Sequence, residues 1–172
     1  NVLKQPGQMR LWSMQALARG ANTVMFFQWR AARAGAEKFH GALVPHVGTQ
    51  DSRVWREVSA LGNELQELGP LAQSRVVADA GILVDWQSWW ALELDSKPST
   101  AVTFYDRLAS FYGPLYAANI TADFVFTDSD FANYKVLFVP NLYLVDDATA
   151  ARLEAYVAGG GTVVMGFFSG IV

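Results

Sequence analysis

Two side chains, Glu37 and His40, are the strongest candidates for chemistry in this sequence of 172 residues. A carboxylate and an imidazole three positions apart share one face if the segment between them forms a helical turn, so both can reach the same bound molecule. Hydrogen bonds that involve a charged partner are the strong ones. The same spacing is more often that of a solvated surface pair, and the residues alone favour this interpretation over a functional one.

The number of available ligands argues against a metal site at this pair. Zinc takes three or four protein ligands, and the Glu-x-x-His motif of di-iron bundles needs a second copy and two further glutamates. The sequence contains neither set, and it has no cysteine. We therefore expect no metal and no cofactor in this segment.

The elements around the pair are typical of a slice of a β/α barrel. Residues 8–19 predict a helix that Gly20 ends, an apolar run from Thr23 predicts a buried strand, and residues 53–68 predict a second helix. In such barrels the polar residues of the active site follow the strands, in the βα loops. The loop after the predicted strand carries polar side chains that include Arg30, Arg33, Glu37 and His40.

The sequence indicates two structural units that meet at Gly69-Pro70. The helix predicted at 53–68 has a stripe of apolar residues at intervals of three and four, and the Gly-Pro pair ends it. Residues 1–50 hold six basic side chains and a single acidic one, Glu37, whereas the remainder is net acidic. Because opposite charge balances suggest separate units, we predict a first unit at 1–69 and a second at 70–172.

The second unit shows the alternation of strands and helices that predicts a parallel, doubly wound sheet. Apolar runs at 81–86, 122–126, 136–140 and 162–166 predict strands buried on both faces. Helices are predicted at 100–118 and 146–158, with Asp146 as the N-cap of the latter. The glycines 159–161 follow a helix and precede a strand, so we interpret them as a helix end rather than a phosphate-binding turn.

Three tryptophans, Trp86, Trp89 and Trp90, lie at the end of the first predicted strand of this unit and just after it. Three indoles within five residues form an interface patch, or they cover the sheet core and the linker between the units. The sequence leaves these two roles about equally supported.

Two stretches of the first unit carry a resemblance to a known family. The runs PGQMRLWSMQALARGANTVMFFQWR and RAGAEKFHGALVPH resemble the end of the catalytic barrel in family 42 glycoside hydrolases, the bacterial β-galactosidases. The rest of the chain resembles the second domain of that family, which is flavodoxin-like and similar to glutamine amidotransferase domains. The resemblance implies an α/β fold, with the C-terminal portion of a TIM (β/α)8 barrel followed by a doubly wound trimerisation domain.

The same resemblance implies roles for individual residues. Glu37 and His40 match the family's glutamate and histidine that hydrogen-bond the hydroxyls of a galactosyl ring. Phe27 is expected to form an apolar wall for that ring, although a core role is equally open. Further candidates with less support are Trp29, Arg30 and Arg33, the last as a group that orients a carboxylate.

Hydrolysis with retention needs two carboxylates about 5 to 5.5 Å apart. The family carries both on earlier barrel strands, so the resemblance implies that they precede Asn1, that this segment holds no catalytic residue and that it is inactive alone. We expect an internal piece of a retaining β-galactosidase that acts on terminal non-reducing β-D-galactosyl residues and forms a homotrimer. The alternative is a non-catalytic α/β interaction or oligomerisation module.

Other functional classes are disfavoured by composition. The basic residues of the first unit are spread over helix, strand end and loop instead of one face, which argues against a nucleic-acid partner. No apolar run approaches the roughly 20 residues of a membrane helix. The absence of cysteine excludes amidotransferase chemistry in this stretch and is compatible with the cytoplasmic location that we expect.

Overall fold

The computed structural model describes residues 3–172, apart from the side chains of residues 72 and 73, so residues 1 and 2 of the predicted first unit lie outside the described part. The chain divides into two compact units, one ending at Val76 and the other spanning Val77–Val172. The first unit contains helix α1 (Gln8–Ala18), a 3-10 helix (Ala36–Phe39), helix α2 (Arg53–Glu67) and a 3-10 helix (Gly69–Gln73).

Both helices predicted in the first unit are confirmed, and each is one residue shorter than predicted at its C-terminal end. An ion pair joins them, since Arg10 Nε lies 3.0 and 2.7 Å from the two carboxylate oxygens of Glu64. Helix α2 begins after Ser52, whose hydroxyl accepts a hydrogen bond from the Trp55 N–H. Leu61, in the middle of the predicted apolar stripe, is buried.

The buried strand predicted from Thr23 is wrong for this chain. Residues 21–26 form no strand, and Met25 and Phe27 are 86% and 66% exposed. A strand requires a hydrogen-bonded neighbour. Among the described residues, the pairing of this region is limited to an isolated parallel bridge between Arg30 and Val44. The run has the composition of a buried strand, but no described segment pairs with it over its length.

The second unit is built on a four-stranded parallel sheet, as predicted. Its strands are β1 (Ala80–Leu83), β2 (Ala122–Val125), β3 (Val136–Val139) and β4 (Thr162–Met165), in the order β2-β1-β3-β4. Each strand begins within one residue of its predicted start and ends before its predicted end. The β/α alternation therefore identified the sheet correctly.

Burial of the strands follows their position in the sheet. All four residues of β1 are buried, as predicted for a central strand. The prediction of burial on both faces is wrong for β2 and β4, where Phe124 is 49% and Met165 is 53% exposed, because these two strands lie at the edges of the described sheet. The main core cluster combines the strands with α5 (Asp147–Ala158) and includes Leu83, Val125, Leu137, Val139, Leu153 and Tyr156.

A short helix, α3 (Trp86–Leu92), replaces the last part of the first predicted strand. Asp85 causes this change, because its carboxylate accepts a hydrogen bond of 2.6 Å from the Ser88 N–H and so caps a helix that starts at Trp86. The tryptophans predicted at a strand end are therefore helical.

The remaining helices begin at side-chain caps. Helix α4 (Phe104–Ala117) starts four residues later than predicted, because Thr103 bonds reciprocally with Asp106: its hydroxyl accepts from the backbone N–H and donates to the carboxylate. Helix α5 confirms the predicted N-cap, since Asp146 accepts a 2.7 Å hydrogen bond from the Thr149 N–H. The glycines 159–161 end α5 and lead into β4, as predicted.

The three tryptophans of α3 differ in their surroundings. Trp89 stacks on Phe104 with ring centroids 5.7 Å apart, and it packs against the second core cluster of the unit. Trp86 stacks on Phe126 at 6.3 Å. Trp90 is 64% exposed. Two of the indoles thus pack on aromatic residues of their own unit, and the third presents a large apolar surface to solvent.

Candidate functional site

The first unit contains a cavity of about 470 Å³. It lies between the starts of α1 and α2 and two stretches of the loop region, residues 26–31 and 39–46. Its wall is largely apolar and includes a few polar groups. This is the composition of sites that bind small molecules, which are mostly apolar with a small number of placed polar groups. The lining residues most relevant to binding are Phe26, Phe27, Phe39, His40, His46 and Arg53.

Backbone hydrogen bonds close the loop that carries the predicted site residues. The N–H of Leu43 donates to the Gln28 carbonyl at 2.9 Å, and the N–H of Val44 donates to the Trp29 carbonyl at 2.8 Å. In return, the N–H of Ala31 donates to the Val44 carbonyl at 3.0 Å. These bonds fix the two ends of the loop beside each other, and residues 32–42 form the loop between them.

A helical turn, the condition for Glu37 and His40 to share one face, is present in the loop. It is a 3-10 helix over Ala36–Phe39, and the His40 N–H donates to the Glu37 carbonyl at 2.9 Å. His40 itself is the C-cap of the turn and has extended backbone angles of φ −76° and ψ 152°. Glu37 and His40 therefore leave the turn from different backbone conformations.

The structure brings together two of the three residues predicted to bind a ligand. His40 and Phe27 both line the cavity, and their rings meet edge to face with centroids 6.0 Å apart at 69°. Glu37 is exposed and is not among the described residues that line the cavity. The exposure of Phe27 also excludes it from the core of this unit.

The three candidates with less support, Trp29, Arg30 and Arg33, are not among the described residues that line the cavity. Trp29 packs edge to face against Trp55 of α2, with ring centroids 5.5 Å apart. Arg30 takes part in the backbone bridge to Val44. Arg33 is exposed and forms no ion pair with a carboxylate of the described residues, so the structure contains no contact of the predicted orienting kind.

Two cavity residues were missed from the sequence. Arg53 donates hydrogen bonds of 2.8 Å to Glu57 and to the Lys4 carbonyl. Its spacing of four from Glu57 in a predicted helix indicates an ion pair between the two side chains. His46 Nε2 lies 2.8 Å from the Lys38 carbonyl oxygen. Nothing in the residue pattern indicates that contact, because it depends on the path of the loop.

Gln28 adds an unsatisfied polar group next to Phe27. Its Nε2 atom is buried and has no hydrogen-bond acceptor among the described residues. A buried donor without an acceptor carries a desolvation penalty. The base of the loop therefore contains a buried hydrogen-bond donor, Gln28 Nε2, that has no acceptor in the described part of the unit.

The second unit has a larger cavity, of about 560 Å³, around the end of α5. The Tyr156 hydroxyl at its wall donates a 3.0 Å hydrogen bond to the Tyr134 carbonyl, and burial raises the pKa of this hydroxyl. Asp130 is the one carboxylate among its described lining residues, and it accepts a hydrogen bond from the Ala132 N–H. A single engaged carboxylate does not suit glycoside hydrolysis, which uses two.

Two further properties limit the chemistry of the described part of the chain. Within residues 3–172, no three or more histidine, aspartate or glutamate side chains are grouped so as to hold a metal ion. In the same range, no helix has the length and apolar character required to cross a lipid bilayer.

Both units match known protein families. Residues 78–172 match the family described as the beta-galactosidase trimerisation domain, and residues 1–68 match the family described as beta-galactosidase. The chain is 49% identical to β-galactosidase BgaB of Geobacillus sp., over 100% of this chain and 26% of that protein. It is 50% identical to β-galactosidase LacZ of Heyndrickxia coagulans, over 99% of this chain and 26% of that protein.

The fold also matches solved structures. The crystal structure of the β-galactosidase from Bacillus circulans sp. alkalophilus is similar with a TM-score of 0.91 and 46% sequence identity, over 98% of this chain and 25% of that one. The chain thus spans about a quarter of the length of the curated relatives that it matches.

Proposed function

Because the chain belongs to glycoside hydrolase family 42, the β-galactosidases, we propose that it forms the substrate-holding end of the catalytic barrel and the trimerisation domain of a retaining β-galactosidase. Residues 1–69 are assigned to the barrel and residues 70–172 to the trimerisation domain. The intact protein hydrolyses terminal non-reducing β-D-galactosyl residues in this proposal. Its nucleophile and its acid/base lie in sequence upstream of Asn1.

The observation that carries the proposal is the contact of Phe27 and His40 on the wall of the cavity in the first unit. A pyranose ring has an apolar face and a rim of hydroxyl groups. The Phe27 ring supplies an apolar surface for that face, and the His40 imidazole can exchange hydrogen bonds with a hydroxyl at the rim. A cavity of about 470 Å³ has room for one sugar residue.

Glu37 completes the proposed site as a charged acceptor for a second hydroxyl. It is exposed on the turn next to His40, where a ligand that extends out of the cavity can meet it. Sugar epimers differ only in the direction of a hydroxyl group, and a site whose polar groups are paired by one epimer is left unsatisfied by the other. This pairing is the proposed source of selectivity for galactose.

The exposed apolar run supports the assignment of the first unit to a larger barrel. Met25, Phe27 and Trp29 are each at least 65% exposed, and exposure of such surface costs about 25 cal/mol per Å². We propose that barrel strands elsewhere in the intact protein pair with residues 23–29 and cover part of this surface.

Kinetics of the intact protein test the binding roles. We expect His40→Ala, which removes the hydrogen-bonding group, to lower kcat/KM for a β-galactoside by about 10- to 150-fold. Glu37→Gln removes the charge but keeps an acceptor, so we expect it to lower kcat/KM by a smaller factor. Lys135→Gln serves as a control, because Lys135 is an exposed residue of the second unit that pairs with Asp79. Unchanged kcat/KM in both site variants would contradict the assignment.

The alternative of a non-catalytic α/β module gains support from the exposure of Glu37. It predicts that neither site variant affects any activity of the intact protein. The proposal also holds that the 172-residue chain alone is inactive, and hydrolysis by this chain that is lost on Glu37→Ala would overturn it.

The proposed assembly is a homotrimer held through the second unit. The match to a trimerisation domain and the exposed indole of Trp90 support this state. Light scattering on the intact protein is expected to give the mass of three chains, and the mass of one chain would refute the trimer. A cytoplasmic location is part of the same proposal and is tested by cell fractionation.

A further inference from the structure

We propose that His46 is a positioning residue, which holds the turn that carries Glu37 and His40 through a hydrogen bond to the Lys38 carbonyl. The observed distance from His46 Nε2 to that oxygen is 2.8 Å. This inference rests on the proposed galactosyl-binding role of the turn. It adds a residue that the family matches do not assign, and that residue acts through the backbone of the turn.

The chemistry of the contact defines the protonation of His46. A carbonyl oxygen only accepts hydrogen bonds, so Nε2 must carry the proton. A neutral imidazole then has its proton on Nε2 and a free lone pair on Nδ1, and the imidazolium form keeps the same donor.

The position of the contact in the loop explains its effect. Lys38 follows Glu37 and lies two residues before His40, in the middle of the 3-10 turn over Ala36–Phe39. The loop is fixed at its ends by backbone bonds between residues 28–31 and 43–44. The hydrogen bond from His46 joins the 3-10 turn to the chain just after these backbone bonds, and it thereby restricts movement of the turn.

The anchor of His46 is itself well defined. It lies in a turn closed by a 2.8 Å hydrogen bond from the Gly48 N–H to the Pro45 carbonyl. Gly48 has a left-handed φ of 71°, which favours glycine at the end of this turn. The proline ring restricts the backbone just before His46. Since His46 and His40 line the same cavity, the hold acts inside the proposed site.

A matched pair of amide variants tests the inference in the intact protein. The side-chain nitrogen of Gln reaches a position close to imidazole Nε2, whereas the shorter Asn places its nitrogen close to Nδ1. We expect His46→Asn to raise KM for a β-galactoside by about two- to tenfold, the range for one hydrogen bond that involves an exposed group. kcat stays within about twofold, and His46→Gln restores a KM near that of the wild type.

A spectroscopic measurement tests the tautomer independently of activity. The protein is labelled with ¹⁵N-histidine, and the His46 signal is assigned by its loss in His46→Gln. With the imidazole neutral, this signal is expected to show a protonated Nε2 and an unprotonated Nδ1. A proton on Nδ1 would overturn the inference. So would equal KM values for His46→Asn and His46→Gln.

The outcomes separate this inference from the proposed function. If His40→Ala and Glu37→Gln impair binding while His46→Asn matches the wild type, the binding site stands and the positioning role is refuted. If the Nε2 tautomer is found but Glu37→Gln and His40→Ala leave KM unchanged, His46 holds the turn and the galactosyl-binding role of the turn is refuted.

Discussion

The two units differ in whether their apolar runs have hydrogen-bonding partners with which to form strands. In the second unit, four apolar runs of four residues pair with one another and form a parallel sheet. In the first unit, an apolar run of similar composition around Met25 and Phe27 has no such neighbour among the described residues, and both side chains are exposed. The difference shows that apolar pattern marks a segment that favours burial, whereas a strand forms only where a second strand is available to it.

The largest effect that tests this comparison is expected from the core of the second unit. Leu137 on β3 is fully buried, so Leu137→Ala is expected to lower the free energy of unfolding by about 2–5 kcal/mol. Met25→Ala is expected to change it by less than about 0.5 kcal/mol in the 172-residue chain. Urea denaturation measures both. Equal losses for the two variants would contradict the contrast between the units.

The same Met25 substitution sharpens the comparison when it is made in the intact protein. If barrel strands cover residues 23–29 there, as proposed, Met25→Ala is expected to cost about 2–5 kcal/mol. A neutral effect in both the chain and the intact protein would argue against a covered strand at this run.

A smaller effect is expected where β4 ends. A Cβ atom at Gly166 would lie 2.1 Å from the Pro140 carbonyl oxygen, so Gly166→Ala forces a backbone shift that costs about 1–3 kcal/mol. In α2 of the first unit, a Cβ atom at Gly62 meets nothing within 4 Å. Gly62→Ala is therefore expected to stabilise its helix by up to about 1 kcal/mol. Thermal unfolding would show opposite shifts, and two shifts of the same sign would be inconsistent with this geometry.

Helix caps provide a further test in the second unit. Asp85→Ala removes the acceptor for the Ser88 N–H at the start of α3, with an expected loss of about 0.5–2 kcal/mol. Asp85→Asn keeps an acceptor at the same position and is expected to lose much less. Calorimetry of both variants measures the difference. Equal losses would show that the charge of Asp85, and not its capping bond, matters.

The smallest effect is a pH dependence at Asp146. Hydrogen bonds from the Thr149 hydroxyl and then from its backbone N–H lower the pKa of Asp146 below its ordinary value of 3.8. The stability that these bonds contribute is complete above pH 3.8 and is lost as the pH falls through the lower pKa of the folded protein. Asp146→Asn is expected to flatten the acid limb of the stability curve, as followed by circular dichroism. An unchanged acid limb would rule this contribution out.

The parts of the fold that were predictable depend on local patterns. The strands of the second unit and the Asp146 cap were identified because each shows itself within a few residues. The start of α4 was misplaced because Thr103 and Asp106 cap it by mutual hydrogen bonds further along the chain than the predicted start. Trp86 was assigned to a strand because apolar composition alone does not reveal the cap formed by Asp85.

The candidate site was predictable only in part for a related reason. The spacing of Glu37 and His40 is compatible with the turn that the structure contains, and the rings of Phe27 and His40 are in contact. The contact of His46 with the Lys38 carbonyl was missed, since it joins residues eight positions apart through an irregular loop. No periodicity in the sequence describes the path of such a loop.

The packing of Trp86 and Trp89 has an optical consequence. Their indole rings lie 5.3 Å apart and are tilted by 43°, so their electronic transitions couple and produce an exciton couplet in the circular dichroism spectrum. The couplet depends on the mutual orientation of the two chromophores and vanishes when α3 unwinds. The folded second unit is therefore expected to contribute such a couplet beside that of the Trp29–Trp55 pair in the first unit.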